Sequence, residues 1–319
     1  MTTRIAILDD YQNAALAAAD WDALGPQAET QVFNSYIDGE AAVAEALQGF
    51  DVIVGMRERT PFPKSLIEKL PDLKLLITTG MRNLSFDMEA AREQGIVVCG
   101  TNMLGYPASE HALALIFALF KKIPAEHRAM QDGGWQGIVS EGMKGKTLGI
   151  LGLGKLGSSV ARVALALDMD VIAWSENLTP ERCAEASVTY VHKDALFAES
   201  DVISIHLVLS DRTRGLIGRP EFTSMKSSAY LVNTSRGPIV DEAALVEALA
   251  NNTIAGAGID VYDTEPLPKD HPLRSLENTV LTGHTGYVVK ELYALAYGEA
   301  VENINAWMKG EPIRVLNAE

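Results

Sequence analysis

Long apolar runs are the first thing this sequence lacks. The longest unbroken one, Ala112–Phe120, is well short of the roughly 20 residues needed to cross a bilayer. The opening MTTRIAILDDYQ has acids where a secretory leader needs an apolar core, so a cytoplasmic protein is expected. Cysteine is scarce: Cys99 and Cys183 lie far apart with no CxxC spacing, which excludes a disulfide framework and a zinc site. No metal site is expected. Positive charge is also in short supply, with 27 Lys and Arg against 42 Asp and Glu, for a net charge of −15. Such a balance disfavours nucleic acid and acidic membrane as partners, since both need a basic surface to release counterions. An anionic ligand would need a local cluster of arginines or backbone N–H groups. Solenoid-length repeats and low-complexity segments are missing as well.

What is present is an ordinary globular composition, 47% hydrophobic and 22% charged, on a chain of 319 residues. That length exceeds what one hydrophobic core usually serves, so two domains are expected. In the first hundred residues short β-branched runs (RIAIL, DVIVGM, LKLLIT, IVVCG) alternate with helical segments (NAALAAADWDAL, AAVAEALQGF, KSLIEKL, MEAAREQG). Strand and helix in turn predict a parallel sheet covered by helices. Pro107, Ser109 and Glu110 open the apolar segment ASEHALALIFALF, which reads as a helix buried on most sides. After a Gly- and Trp-bearing loop, QDGGWQG, a second alternating block begins. It holds strands at TLGIL, DVIAW, DVISIHLVL, AYLVNTS, GAGIDVY and NTVLTGH, and the chain finishes in the amphipathic KELYALAYGEAVENINAWMKG.

The motif GLGKLG sits between the strand TLGIL and a helical pattern, placing Gly152, Gly154 and Gly157 in GxGxxG spacing. The spacing has a mechanical reason: a tight turn at Gly152, close approach of a pyrophosphate at Gly154, and helix–strand packing at Gly157. The helix N-terminus would then present unpaired N–H groups to the phosphates. The next strand ends at Ser175, Glu176 and Asn177, with no arginine until Arg182. An acid there suits an unphosphorylated ribose and tilts the cofactor towards NAD over NADP, although Glu176 also reads as a solvated loop charge.

From residue 228 the chain reads SAYLVNTSRGPIVDEAALVEALANNTIAGAGIDVYDTEPLPKDHPL, then NTVLTGHTGY. Together with GLGKLG this strongly resembles the D-isomer-specific 2-hydroxyacid dehydrogenases, a family that includes phosphoglycerate dehydrogenase and the glyoxylate or hydroxypyruvate reductases. The resemblance implies a catalytic set of Arg236 in NTSRG, Glu265 in DTEP and His284 in TGH. The chemistry fits that assignment. Hydride addition to a ketone leaves an alkoxide that needs a proton, and histidine can give one near neutrality. A carboxylate on the imidazole stabilises its charged form, and an arginine fork can pair with a substrate carboxylate and polarise the carbonyl. The resemblance further implies cofactor contacts at Lys155, Leu156, Ser175, Glu176, His206 and Thr213. It puts Thr234, Ser235 and Asp260 on the nicotinamide side, Asp260 as a partner of the carboxamide. A formate-oxidising relative carries glutamine where Glu265 stands, which argues against that branch. Two departures, Gly283 before the histidine and Val208 after His206, stand where the family usually has proline. They point to a distinct subgroup.

The resemblance also implies architecture: an α/β fold of two Rossmann- or flavodoxin-like domains with parallel sheets. Residues 103–285 would form the cofactor domain, inserted into a substrate domain of residues 1–102 and 286–319, with substrate in the cleft between them. The segment after Pro107 resembles the family's two-fold dimer interface, so a homodimer is expected. The chain ends at Glu319 without the regulatory domain of many phosphoglycerate dehydrogenases, so serine feedback is not expected. In TTGMRNLSFD, Gly80 and Asp87 match the ends of the family's carboxylate-binding loop, with Met81 and Arg82 between them. Met81 suits an apolar wall for the substrate side chain. Arg82 either reaches a second polar group on the substrate or braces the domain boundary. The expected function is NAD(H)-linked interconversion of a small 2-keto acid and its D-2-hydroxy acid, with an NADPH-dependent glyoxylate or hydroxypyruvate reductase as the alternative. A rival of another class is an NAD(H)-sensing corepressor-like protein.

Overall fold

The computed structural model describes residues 2–318. They divide into two compact units: one takes the chain up to Leu104 and again from Val288 onward, the other is Gly105–Tyr287.

The first unit is built on β1 (Thr3–Ile7), β2 (Ala28–Val32), β3 (Val52–Gly55), β4 (Leu75–Thr78) and β5 (Val97–Gly100). All pair in parallel in the order β2-β1-β3-β4-β5, the flavodoxin-like winding. Central strands β3 and β4 are buried along their whole length, which is why they read as unbroken apolar runs. Strand β2, AETQV, lies at the edge and is half-exposed; it was not among the runs read from the sequence. The segment NAALAAADWDAL is not one helix but a single turn, Ala15–Ala18, followed by a 3-10 turn, Trp21–Leu24. The C-terminal helix Lys290–Met308 buries Leu292, Tyr293, Ala296, Tyr297 and Ala300 in this unit. Phe62 and Phe86 meet edge to face, 5.1 Å apart, in its core.

The second unit carries seven parallel strands: β6 (Thr147–Leu151), β7 (Asp170–Trp174), β8 (Thr189–Tyr190), β9 (Val202–Ile205), β10 (Tyr230–Asn233), β11 (Gly256–Ile259) and β12 (Thr279–Leu281). Their order is β12-β11-β10-β9-β6-β7-β8. From β6 the chain winds outward to β8, then returns to β9 on the other flank of β6. The β6/β9 junction is thus the topological switch point, where open α/β sheets bind ligands at the carboxyl ends of their strands. The apolar segment forms the helix Pro107–Phe120, with Ala112, Leu115, Ile116, Leu119 and Phe120 buried, packed on β10, β11 and β12 and on the helix Lys155–Ala166. Among the described residues no helix is long and apolar enough to cross a membrane.

Candidate active site

At the switch point β6 ends in the glycine motif. Gly152 has φ = +99°, and a Cβ there would lie 2.8 Å from the carbonyl oxygen of His206 at the end of β9, so only glycine permits the turn. Gly157 lies on the Gly152 carbonyl and the Ile150 side chain, which brings the helix Lys155–Ala166 onto the strand. Around Gly154 the space is open: a Cβ there would meet nothing within 4 Å. That residue is also the N-cap of the helix and supplies no side-chain cap, so the first-turn N–H groups have no partner from it. Close-packed on one side and open above an uncapped helix end, this cradle fits a dinucleotide pyrophosphate. Lys155 and Leu156 head the same helix, and the Lys155 side chain runs against Gly105. Ser175 and the exposed Glu176 follow β7 directly.

His206 follows β9, its Nε2 2.9 Å from the Ser204 hydroxyl. Burial pushes its imidazole down to about 4, so the ring is neutral at physiological pH. Thr213 holds its own loop together, donating to the Val208 carbonyl (2.7 Å) and accepting from the Ser210 N–H (2.8 Å). Ser235, after β10, donates to the Ile205 carbonyl at 2.8 Å and so ties the β10 end to the β9 end beside Thr234.

Arg236 follows at once, Nη1 donating to the Ser235 carbonyl at 2.8 Å. Gly237 lies directly on the Tyr262–Asp263 peptide. The Tyr262 N–H in turn donates to Glu265 Oε1 at 3.0 Å. The other oxygen of Glu265 meets His284 Nδ1 at 2.6 Å, with both side chains about a quarter exposed. One chain of contacts therefore runs from the Arg236 loop through Tyr262 to the Glu265–His284 pair. The ring of Tyr287 stands edge to face on the imidazole, 5.7 Å between centroids. His284 has φ = +55°, left-handed and uncommon for a residue with a side chain.

Asp260, past the end of β11, is 1% exposed. Its Oδ1 accepts from the Thr282 hydroxyl (2.6 Å) and the Thr285 N–H (2.8 Å), and its Oδ2 from the Gly286 N–H (2.9 Å). Burial opposes its charge, yet the His111 and Thr282 side chains and the Thr285 N–H hold the carboxyl below its ordinary range. His111, on the apolar helix, was not singled out from the sequence.

The loop of the first unit that carries Gly80, Met81 and Arg82 is arranged around a different arginine. Arg82 is exposed, and Met81 is 47% exposed. Arg57, which follows β3, lies with its guanidinium against Gly80 and donates to the Thr79 carbonyl at 3.2 Å. Its own carbonyl accepts from buried Asn83 at 2.7 Å. The Gly80 N–H goes to Thr101 Oγ1 at 3.1 Å, and the Asp87 carboxylate caps the helix Met88–Glu93. Nothing in the string MRERT marks Arg57; it takes the fold to bring that residue to Gly80.

A doubly wound parallel sheet with its glycine turn at the switch point is the frame of a dinucleotide-binding domain. Residues 113–286 match the model of the D-isomer specific 2-hydroxyacid dehydrogenase NAD binding domain, and the chain belongs to that family. It is 37% identical over 270 residues to a D-3-phosphoglycerate dehydrogenase of Archaeoglobus fulgidus, covering 83% of this chain and 51% of the relative. A glyoxylate reductase of Korarchaeum cryptofilum is 32% identical, with 87% of this chain and 86% of the relative covered. Among solved structures, a phosphoglycerate oxidoreductase from Vibrio cholerae O395 superposes with a TM-score of 0.91 at 32% identity, covering 97% of this chain and all of that one. The chain spans about half the length of the curated phosphoglycerate dehydrogenases of Archaeoglobus fulgidus and Synechocystis that it matches, and most of the length of the glyoxylate reductases.

Proposed function

We propose that this protein is an NAD(H)-linked oxidoreductase interconverting a small 2-keto acid and its D-2-hydroxy acid. The observation that carries the reading is the 2.6 Å pairing of His284 with Glu265 in the family's NAD-binding domain. Reduction adds a hydride to the keto carbon and a proton to its oxygen. A nicotinamide dinucleotide, its pyrophosphate held by Gly152, Gly154 and the head of the helix Lys155–Ala166, would supply the hydride. With Nδ1 committed to Glu265, proton transfer to the nascent alkoxide falls to Nε2 of His284. The carboxylate of Glu265 offsets the imidazolium charge needed before that transfer. Arg236 receives the substrate carboxylate and polarises the carbonyl through its planar fork. Thr213, Thr234 and Ser235 shape the wall beside the ring, and the Gly80 loop, braced by Arg57, is the candidate carboxylate-binding loop that the family resemblance implies.

The exposed Glu176 after β7 supports NADH over NADPH, because a carboxylate at that place repels a 2′-phosphate. A homodimer is the proposed assembly, and the cytoplasm the proposed compartment, supported by two buried free thiols, Cys99 and Cys183. The test mixes purified protein with NADH or NADPH and a panel of 2-keto acids and follows nicotinamide absorbance. Oxidation of NADH by at least one member is expected, with NADPH weaker. His284→Ala abolishes turnover and leaves NADH binding intact. Silence across the panel with both cofactors sinks the reading.

A further inference from the structure

The 284–286 turn has an anchor of its own. Three consecutive N–H groups converge on Asp260: His284 N–H on its main-chain carbonyl (2.7 Å), Thr285 N–H on Oδ1 (2.8 Å) and Gly286 N–H on Oδ2 (2.9 Å). Such a triple acceptor is what keeps His284 at φ = +55°, a conformation that costs on the order of 1 kcal/mol for a residue with a Cβ. The anchor holds only if the carboxylate stays charged and fixed while 1% exposed, and an isolated buried carboxylate is expensive.

His111 meets that requirement from the opposite side. Its Nε2 lies 2.9 Å from Thr282 Oγ1 and 3.3 Å from Asp260 Oδ1. The single hydroxyl proton of Thr282 goes to Asp260 at 2.6 Å, so Thr282 accepts from His111, whose Nε2 therefore carries a hydrogen. Gly286 fills the space between them: a Cβ there would lie 3.0 Å from Asp260 Oδ2 and 3.6 Å from the His111 Cβ. The helix supplying His111 is otherwise buried along Ala112, Leu115, Ile116, Leu119 and Phe120. It is a rigid support for one polar side chain.

We infer that His111 is a positioning residue, which through Thr282 and Asp260 fixes the turn that aims the His284 imidazole. It touches no reacting atom. The inference rests on the proposed role of His284 as proton donor, and the test separates the two. His111→Leu keeps the bulk of the side chain and removes the donor, whereas His111→Gln returns an N–H at about the place of Nε2.

With the 2-keto acid that the wild type reduces fastest, His111→Leu is expected to lower kcat about tenfold, as small misplacements of reacting groups do. KM for the keto acid should stay within about twofold, because a loss confined to the aim of the proton donor lowers kcat without weakening ground-state binding. His111→Gln is expected to restore most of kcat. The second measurement needs no turnover: the low-field proton resonance of the His284–Glu265 hydrogen bond, sharp in wild type and His111→Gln, broadens or disappears in His111→Leu. An unchanged kcat and an unchanged resonance in His111→Leu overturn the inference, as does a loss that His111→Gln fails to restore in a folded protein. A wild type inactive on every keto acid removes the activity reading alone, and the resonance still decides the positioning role.

Discussion

Two arginines near one loop separate by their partners rather than by their position in the chain. Arg82 stands inside TTGMRNLSFD yet is exposed, whereas Arg57, from a different loop, is fixed against Gly80 by Thr79 and Asn83. A guanidinium already ordered loses little entropy on meeting an anion, and its fork is not reproduced by an ammonium. Arg57→Lys is therefore expected to raise KM for the best keto acid about tenfold, a loss of ~1.4 kcal/mol of binding, with a smaller change in kcat. Arg82→Ala should leave KM within about twofold, since an exposed charge at such a site is largely screened. Initial-rate kinetics on the two variants decides the ranking, and the opposite order would return the reading role to Arg82. Neither Arg57 nor His111 was legible in the sequence, and for one reason: each is brought by the fold to a segment distant in the chain, Gly80 and Asp260. By contrast, Glu265 and His284 were named from the sequence through the family resemblance that DTEP and TGH carry, and the fold pairs them at 2.6 Å.

At the scale of elements, the turn after β6 is where local sequence and tertiary constraint agree most closely. Gly157 has the Gly152 carbonyl in the place a Cβ would take, so a side chain there must push the helix Lys155–Ala166 off β6. Gly157→Val is expected to weaken NADH binding at least tenfold, since the uncapped helix end moves away from the phosphate position. It should also lower thermal stability by about 1–3 kcal/mol, the usual cost of overpacking. Fluorescence titration with NADH and thermal unfolding check both, and unchanged affinity would mean that the cradle does not hold the dinucleotide. Buried strands such as VIVG and LLIT were plain in the sequence because parallel strands covered on both faces are continuously apolar. Strand β2, AETQV, escaped notice because an edge position needs neither an apolar run nor clean alternation; its pairing with β1 is what makes it a strand. The helix Ile123–Gln131 escaped for a related reason, having no buried residue.

For the whole molecule, the question is what covers the apolar surface beyond the helix Pro107–Phe120. Met130, Trp135, Ile138 and Val139 are 47%, 76%, 37% and 95% exposed within ten residues of chain. Single exposed apolar residues are ordinary, but four within ten residues, one of them a tryptophan, make this segment the candidate contact surface for the proposed dimer. A second copy of this chain is the occupant proposed, and its net charge of −15 makes the proposal testable by salt. Like charges oppose self-association, and raising ionic strength to about 0.15 M cuts the Debye length to about 8 Å, relieving that repulsion. Apolar burial is not weakened by the same change. Sedimentation should therefore show a dimer of the 34.4 kDa chain that tightens from low to moderate salt, whereas an assembly held by ion pairs would loosen. Trp135→Ser with Val139→Asp should shift it to monomer, since it removes the two most exposed apolar side chains of the segment and adds a charge there. A wild type that sediments as a monomer at micromolar concentration in moderate salt would leave the patch to some other partner.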